Sequence, residues 1–198
     1  MNLANKITFC RLVLAVVILL LLIFPWYQIN IEWPVYFVFD MMTVNLMYIV
    51  AGVLFLIAAL TDFLDGYVAR SKNLVSDFGK FMDATADKIL VNGLLIILAH
   101  HGFISIVIPV VVITRDIVVD GVRMIAGNTG RVVASSVAGK IKTIFMMSGI
   151  TLVLFYNLPF ELIGVNIADI LLIIATLFSV ISGCQYYLAN KDLLFKDK

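Results

Sequence analysis

Four aspartates fall within one stretch of a strongly apolar chain: Asp62 and Asp65 three residues apart, then Asp83 and Asp87 four apart. On a helix, such spacings put both members of a pair on one face about one turn apart, so each pair presents two carboxylates together. An uncompensated acid in hydrocarbon costs roughly 2.5 to 3.5 kcal/mol on insertion scales, so four such groups require a cationic partner. Oxygen ligands with no His or Cys beside them favour a hard divalent cation, Mg2+ first and Mn2+ or Ca2+ next, over zinc or copper. Four acids have room for two ions per site, and ions about 3.5 to 4 Å apart stabilise both oxygens of an in-line displacement at phosphorus. Phosphoryl chemistry is the reaction class these acids indicate.

Small residues accompany the acids. Gly66 and Gly79 lie inside the run and Ala69 follows one turn after Gly66, which lets a bulky ligand or an opposing backbone approach closely. Arg70 has the planar fork suited to a phosphate, although an interfacial arginine also snorkels as a matter of course. The competing reading is a structural acidic network neutralised by Arg70, Lys80 and Lys88. Lys88 beside Asp87, and Asp77 outside the repeat spacing, read as local features.

The elements that must position these groups are membrane helices. Of 198 residues, 63% are hydrophobic, against roughly 45 to 50% in soluble domains, and the mean hydropathy is +1.09. Apolar runs at 12–24, 44–60, 89–99, 103–113, 144–155 and 167–181 predict an all-α integral membrane protein with six transmembrane helices, each near the ~20 residues a bilayer requires. All fourteen Lys and Arg fit on one side of that arrangement, while the opposite connections carry Glu32, Asp40 and Glu161, so both termini are expected in the cytoplasm. Trp26, Tyr27, Trp33 and Tyr36 suit the headgroup zone of the far leaflet. Lys6 and Arg11 precede an apolar run as in a signal peptide, but Phe24, Pro25 and Trp26 stand where small residues would mark cleavage, so the first span is expected to be retained. The polar segment 70–77 reads as a short cytoplasmic turn that lets both acidic faces converge near the inner membrane surface. No linker composition and no internal repeat divides the chain, which predicts one domain over 1–198. A net charge of +1 without a basic, aromatic-interleaved patch excludes a nucleic-acid partner. Cys10 and Cys184 lack metal-ligand spacing and read as packed free thiols.

The pattern D-x-x-D-G-x-x-A-R, eight residues, then G-x-x-x-D-x-x-x-D, filled here by Asp62, Asp65, Gly66, Ala69, Arg70, Gly79, Asp83 and Asp87, resembles the signature of the CDP-alcohol phosphatidyltransferase family. Asn5, Thr8 and Arg11 resemble that family's N-terminal segment, so the resemblance covers nearly the whole chain. It implies the family's six-helix fold, a homodimer in the lipid bilayer of the cytoplasmic membrane, and a metal site facing the cytoplasm. It also implies transfer of a phosphatidyl group from CDP-diacylglycerol to an alcohol with release of CMP. By motif position, Asp62, Asp65, Asp83 and Asp87 are implied as ligands of Mg2+ or Mn2+, and Asp87 also as the base that takes the acceptor's proton. Asn5, Thr8, Asp62, Asp65, Gly66, Ala69, Arg70, Ser76 and Gly79 are implied to hold CDP-diacylglycerol. A site at the membrane interface suits a donor whose acyl chains stay in lipid and an acceptor that arrives from water.

A second group of charges bears on the acceptor. Arg115 and Arg123, then Arg131, Lys140 and Lys142, suggest an anionic alcohol. Arg115 and Arg123 are eight apart, within about 80° of each other on a helix, and Gly139 lets Lys140 approach, so a phosphate can be held among them. The positive-inside rule accounts for part of this set, with Arg131 and Lys142 expected in solvent. Arg115, beside Asp116 and below Asp120, has an intramembrane ion pair as its alternative. The segments R-D-I-V-V-D-G-V-R and G-K-I-K-T resemble the branch of the family whose acceptor is sn-glycerol 3-phosphate, with Arg115, Arg123 and Lys140 at its acceptor-phosphate positions. Asp116 where that branch has Glu, and Ala84 and Ala4 where it has Pro, leave room for another phosphorylated acceptor, inositol phosphate first. A divalent-cation or proton-coupled transporter is the reading from another class; the acids' position next to apolar spans rather than within them speaks against it. His100 and His101 read as interfacial residues, and Ala134, Ser135, Ala138 and Gly139 as a close-packing face.

Overall fold

The computed structural model describes residues 3–38, 42–71, 77–128 and 136–194. Within these, six α-helices follow one another: α1 (Leu3–Ile23), α2 (Leu46–Ser71), α3 (Asp77–His100), α4 (Val107–Asn128), α5 (Val137–Leu154) and α6 (Ile167–Leu194). The chain divides into two compact units, one built from 1–97 with 151–158 and the other from 98–150 with 159–198.

In the first unit α1 packs on α2. Ala15, Ile18 and Leu22 on one side, and Ala51, Phe55 and Ala58 on the other, recur at three and four residues and are all 3% exposed or less, so each helix buries one stripe. The small residues in both stripes allow close approach, the usual source of helix association where lipid is as apolar as leucine. A Cβ at Gly93 would lie 2.7 Å from a methyl of Leu19, so α3 meets α1 closely enough there that a side chain would displace Leu19. The opposite faces carry Val13, Val16, Leu20, Val53, Ile57 and Leu60 exposed, an arrangement suited to lipid.

The all-helical expectation misses one feature of this unit. The connection after α1 forms an antiparallel hairpin of β1 (Val35–Val38) and β2 (Met42–Asn45), paired from Val35 opposite Asn45 to Val38 opposite Met42. Its β-branched and aromatic residues are good strand formers, although the apolar run around Val44 reads as the start of a span. Asn45 links this hairpin to α2 by accepting from the Met47 amide at 2.9 Å, while its own amide donates to the Tyr156 hydroxyl at 2.9 Å. Tyr156 and Asn157 adopt φ of 56° after α5, a left-handed conformation that non-glycine residues reach at some cost; the Asn45 bond and an edge-on contact with Tyr48 at 5.9 Å hold the first in place.

In the second unit α4 packs on α6. The buried stripe of α6 changes character along its length: Ala168, Leu172 and Ala175 are apolar, whereas Ser179, Ser182, Tyr186 and Asn190 continue the same face with polar groups. α6 starts with Asn166 accepting from the Asp169 amide at 3.2 Å and donating to its carboxylate at 2.7 Å, a reciprocal cap. Ser136 caps α5 by accepting from the Gly139 amide at 3.1 Å.

Among the described residues, two helices are long and apolar enough by themselves to cross a membrane, Val137–Leu154 and Ile167–Asp192, with shorter apolar stretches at Thr8–Ile23 and Leu46–Asp62. α3 and α4 fall short of that measure because they carry the charges: Asp77, Lys80, Asp83, Asp87 and Lys88 on the first, Arg115, Asp116, Asp120 and Arg123 on the second. Cys10 and Cys184 are free, as expected, but exposed rather than packed. His100 and His101 lie with ring centroids 5.5 Å apart; burial, and to a smaller extent the neighbouring His100, lower the pKa of His101 below its ordinary value.

Candidate active site

The acidic motif lies in the first unit. The backbone places Asp62, Asp65, Gly66, Ala69 and Arg70 on the last turns of α2, and Gly79, Asp83 and Asp87 on the first turns of α3. Asn5, Thr8 and Arg11 lie on the first turns of α1. The side chains of Asn5, Asp65, Ala69 and Arg70 are outside the described set, and Ser76 lies outside the described residues altogether.

Arg11 joins the three helices. Its guanidinium, 3% exposed, pairs with the Asp62 carboxylate through one terminal nitrogen and with Asp83 Oδ1 through the other at 2.6 Å. Thr8, one turn earlier on α1, is buried at 4%. Asp62 and Asp83 are each about half exposed (49%), and Asp87, one turn beyond Asp83, is half-buried. Asp62 from α2 and Asp83 from α3 therefore do meet, and a positive charge is where they meet. The sequence reading gives Arg11 a place before the first span and in an N-terminal resemblance but no partner; the signal for its role is an arginine three residues after Thr8 at the edge of an apolar run, with four acids elsewhere needing charge.

No group of three or more metal-ligating side chains is gathered among the described residues. Asp62 and Asp83 nevertheless fit a divalent cation in their donor chemistry: they supply hard oxygen donors from two helices and keep half their surface open beside Arg11.

The basic group lies in the second unit. Arg115 on α4 donates from Nη1 to Asp116 Oδ1 at 2.9 Å and from Nη2 to Ser182 Oγ on α6 at 2.6 Å. Lys142 on α5 reaches both oxygens of the same carboxylate, at 2.7 and 2.9 Å. The ion pair with Asp116 that is the alternative for Arg115 is thus present, and Asp116 serves two cations. Lys142, expected in solvent, is instead 8% exposed, because Asp116 compensates its charge. Arg123, two turns along α4, donates to the Tyr186 hydroxyl at 2.7 Å. Lys140 is exposed on the first turn of α5, and Arg131 lies outside the described residues. A Cβ at Gly183 would stand 3.0 Å from Arg115 Cγ, so glycine there admits the arginine stem against α6.

Ser182, Gly183 and Tyr186 are residues the sequence reading misses. Their signal was available: Ser179, Ser182, Tyr186 and Asn190 recur at helical spacing within an otherwise apolar segment.

The model of the family described as CDP-alcohol phosphatidyltransferase matches residues 1–181. The chain belongs to the CDP-alcohol phosphatidyltransferase family. It is 38% identical over 193 residues, 98% of this chain and 97% of the relative, to a Bacillus subtilis protein named CDP-diacylglycerol--glycerol-3-phosphate 3-phosphatidyltransferase. Proteins of the same name are 32% identical over 141 residues in Rickettsia bellii, covering 71% of this chain and 78% of the relative, and 46% identical over 102 residues in Mycoplasma genitalium, covering 52% and 43%. As a CDP-alcohol phosphatidyltransferase the protein is a membrane-associated transferase of phospholipid synthesis. The family match spans α1 through the first half of α6, so Arg11, the acidic turns of α2 and α3, and the basic face of α4 all belong to the part of the chain that defines a CDP-alcohol phosphatidyltransferase.

Proposed function

We propose that this phosphatidyltransferase moves the phosphatidyl group of CDP-diacylglycerol to sn-glycerol 3-phosphate, giving phosphatidylglycerophosphate and CMP. The observation that carries the reading is the 38% identity, over nearly the full length of both chains, to a relative named for that reaction. The Arg115, Arg123 and Lys140 set supports an acceptor that bears a phosphate.

In this reading Asn5, Thr8, Gly66, Ala69, Arg70, Ser76 and Gly79 bind CDP-diacylglycerol, the small residues admitting the donor and Arg70 meeting its phosphates. Asp62, Asp65, Asp83 and Asp87 hold Mg2+ or Mn2+, two ions per site, with Arg11 fixing the separation of α2 and α3 through Asp62 and Asp83. When bound, the metal supplies charge neutralisation at the pyrophosphate and stabilises CMP as leaving group. Asp87 takes the proton from the acceptor hydroxyl as that oxygen attacks the phosphorus of the phosphatidyl group. Arg115, Arg123 and Lys140 orient the acceptor through its phosphate, which selects a phosphorylated alcohol over serine or a neutral one. The single in-line displacement inverts the configuration at phosphorus.

The proposed setting is the cytoplasmic membrane, with six helices spanning it, both termini and the active site on the cytoplasmic side, and a homodimer as the working form. The side preference of all fourteen Lys and Arg supports this orientation.

The test follows CMP release by purified protein in detergent with CDP-diacylglycerol and Mg2+, offering glycerol 3-phosphate, inositol phosphate, serine or no acceptor. Release that depends on glycerol 3-phosphate and disappears in both Asp83→Ala and Asp87→Asn is the expected result. Release with inositol phosphate alone overturns the acceptor assignment, and wild-type turnover in Asp87→Asn removes the base.

A further inference from the structure

The acceptor group of charges is organised around one tyrosine. Tyr186, 5% exposed on the polar half of the α6 stripe, accepts through its hydroxyl from Arg123 Nη2 at 2.7 Å and from the Ser136 amide at 3.1 Å. Its ring lies 5.0 Å from the Arg123 guanidinium carbon and 5.6 Å from that of Arg115, within the range at which the ring quadrupole attracts a cation. Ser136 is the capping residue of α5: its side chain accepts from the Gly139 amide and its carbonyl from the Lys140 amide. One side chain therefore touches Arg115 and Arg123 directly, and through Ser136 it locates the helical turn that carries Lys140.

Like charges on two arginines repel, and flexible stems do not hold them at a phosphate's spacing unaided. An aromatic face beside both guanidiniums lowers the repulsion, and a hydroxyl that accepts from Arg123 fixes the direction of its fork. The Asp116 carboxylate and Ser182 hydroxyl fix the direction of the Arg115 fork in the same way.

We infer that Tyr186 is a positioning residue for the acceptor phosphate: it presets Arg123, Arg115 and the N-terminal turn of α5 for a phosphomonoester, without itself meeting the reacting atoms. The inference rests on the proposed function, because it assigns Tyr186 to that acceptor site.

Tyr186→Phe keeps the ring and removes the hydroxyl. The expected result is an apparent KM for glycerol 3-phosphate raised about tenfold, which corresponds to about 1.4 kcal/mol. The kcat and the KM for CDP-diacylglycerol should stay within about twofold, as for a group whose contribution is binding alone. Combining Tyr186→Phe with Arg123→Ala should raise KM by clearly less than the product of the two single effects, because the hydroxyl acts in part through the arginine; a residue with only a packing role would add its effect in full. Calorimetric titration of glycerol 3-phosphate into wild type and Tyr186→Phe reads the same pocket without turnover. Tight binding by wild type without CMP release would sink the proposed reaction and leave the inference standing. Equal binding by the two proteins, no binding by wild type, or additive KM effects would overturn the inference. If Tyr186→Phe does not give monodisperse protein, Tyr186→His, which keeps a ring with a polar edge, takes its place under the same criteria.

Discussion

Asp116 illustrates how a charge can be kept in an apolar helix bundle at little expense. It sits on α4 with Arg115 as its sequence neighbour and receives Lys142 from α5 at 2.7 and 2.9 Å. Both cations are largely buried, Lys142 at 10% side-chain exposure and Arg115 at 14%. Removing the carboxylate leaves two buried charges facing each other, a change that in other buried pairs costs about 3 to 5 kcal/mol. Asp116→Asn is therefore expected to lower the thermal unfolding midpoint in detergent by several degrees, and adding Lys142→Met should recover most of the loss. A midpoint unmoved by Asp116→Asn would mean that Lys142 finds its compensation elsewhere. The individual carboxylates are easy to pick out of the sequence, because acids are rare in such a chain. Their partners are not: Arg11 is 51 residues from Asp62, and Lys142 is 26 from Asp116, and no local pattern specifies a pairing across such distances.

At the scale of helices, contact is set by where side chains are missing. A Cβ on Gly149 would lie 2.7 Å from Leu172 side-chain carbons and 3.4 Å from the Leu172 backbone nitrogen, so α5 and α6 meet at that residue almost backbone to side chain. Gly149→Val should force the two apart and destabilise the protein by about 1 to 3 kcal/mol, the usual range for overpacking, and a smaller side chain in Gly149→Val/Leu172→Ala should restore part of it. An unchanged unfolding midpoint for Gly149→Val would contradict the close packing. The six apolar runs are legible as helices because long apolar windows leave few alternatives. The turn between the second and third is legible too, since the polar segment 70–77 marks it and α2 ends at Ser71 while α3 begins at Asp77, which leaves Asp62, Asp65, Asp83 and Asp87 on regular helix. The β1–β2 hairpin is missed because a β-branched apolar run near a span end satisfies both periodicities at once. The polar half of α6 is missed because four polar residues spaced at three and four are diluted by the leucines and isoleucines between them.

For the whole molecule, the two candidate groups fall in separate units, each with its own buried compensation: Arg11 among the acids in the first, Asp116 among the bases in the second. Chelation of divalent metal is consequently expected to abolish CMP release while leaving helical circular dichroism intact, since Arg11 already supplies Asp62 and Asp83 with positive charge. Mg2+ or Mn2+ should restore turnover and Zn2+ should not, as befits a site of hard oxygen donors. Helical signal lost on chelation would show instead that the metal is part of the fold. The two exposed thiols add something different. Cys10 adjoins Arg11 and Cys184 adjoins Gly183, two residues before Tyr186, and the chain has no other cysteine. The natural protein thus carries one exposed attachment point for a fluorophore or spin label on α1, next in sequence to the guanidinium that gathers the acids, and another on α6, near in sequence to the tyrosine that gathers the bases, so replacing either cysteine leaves a local probe of the other unit.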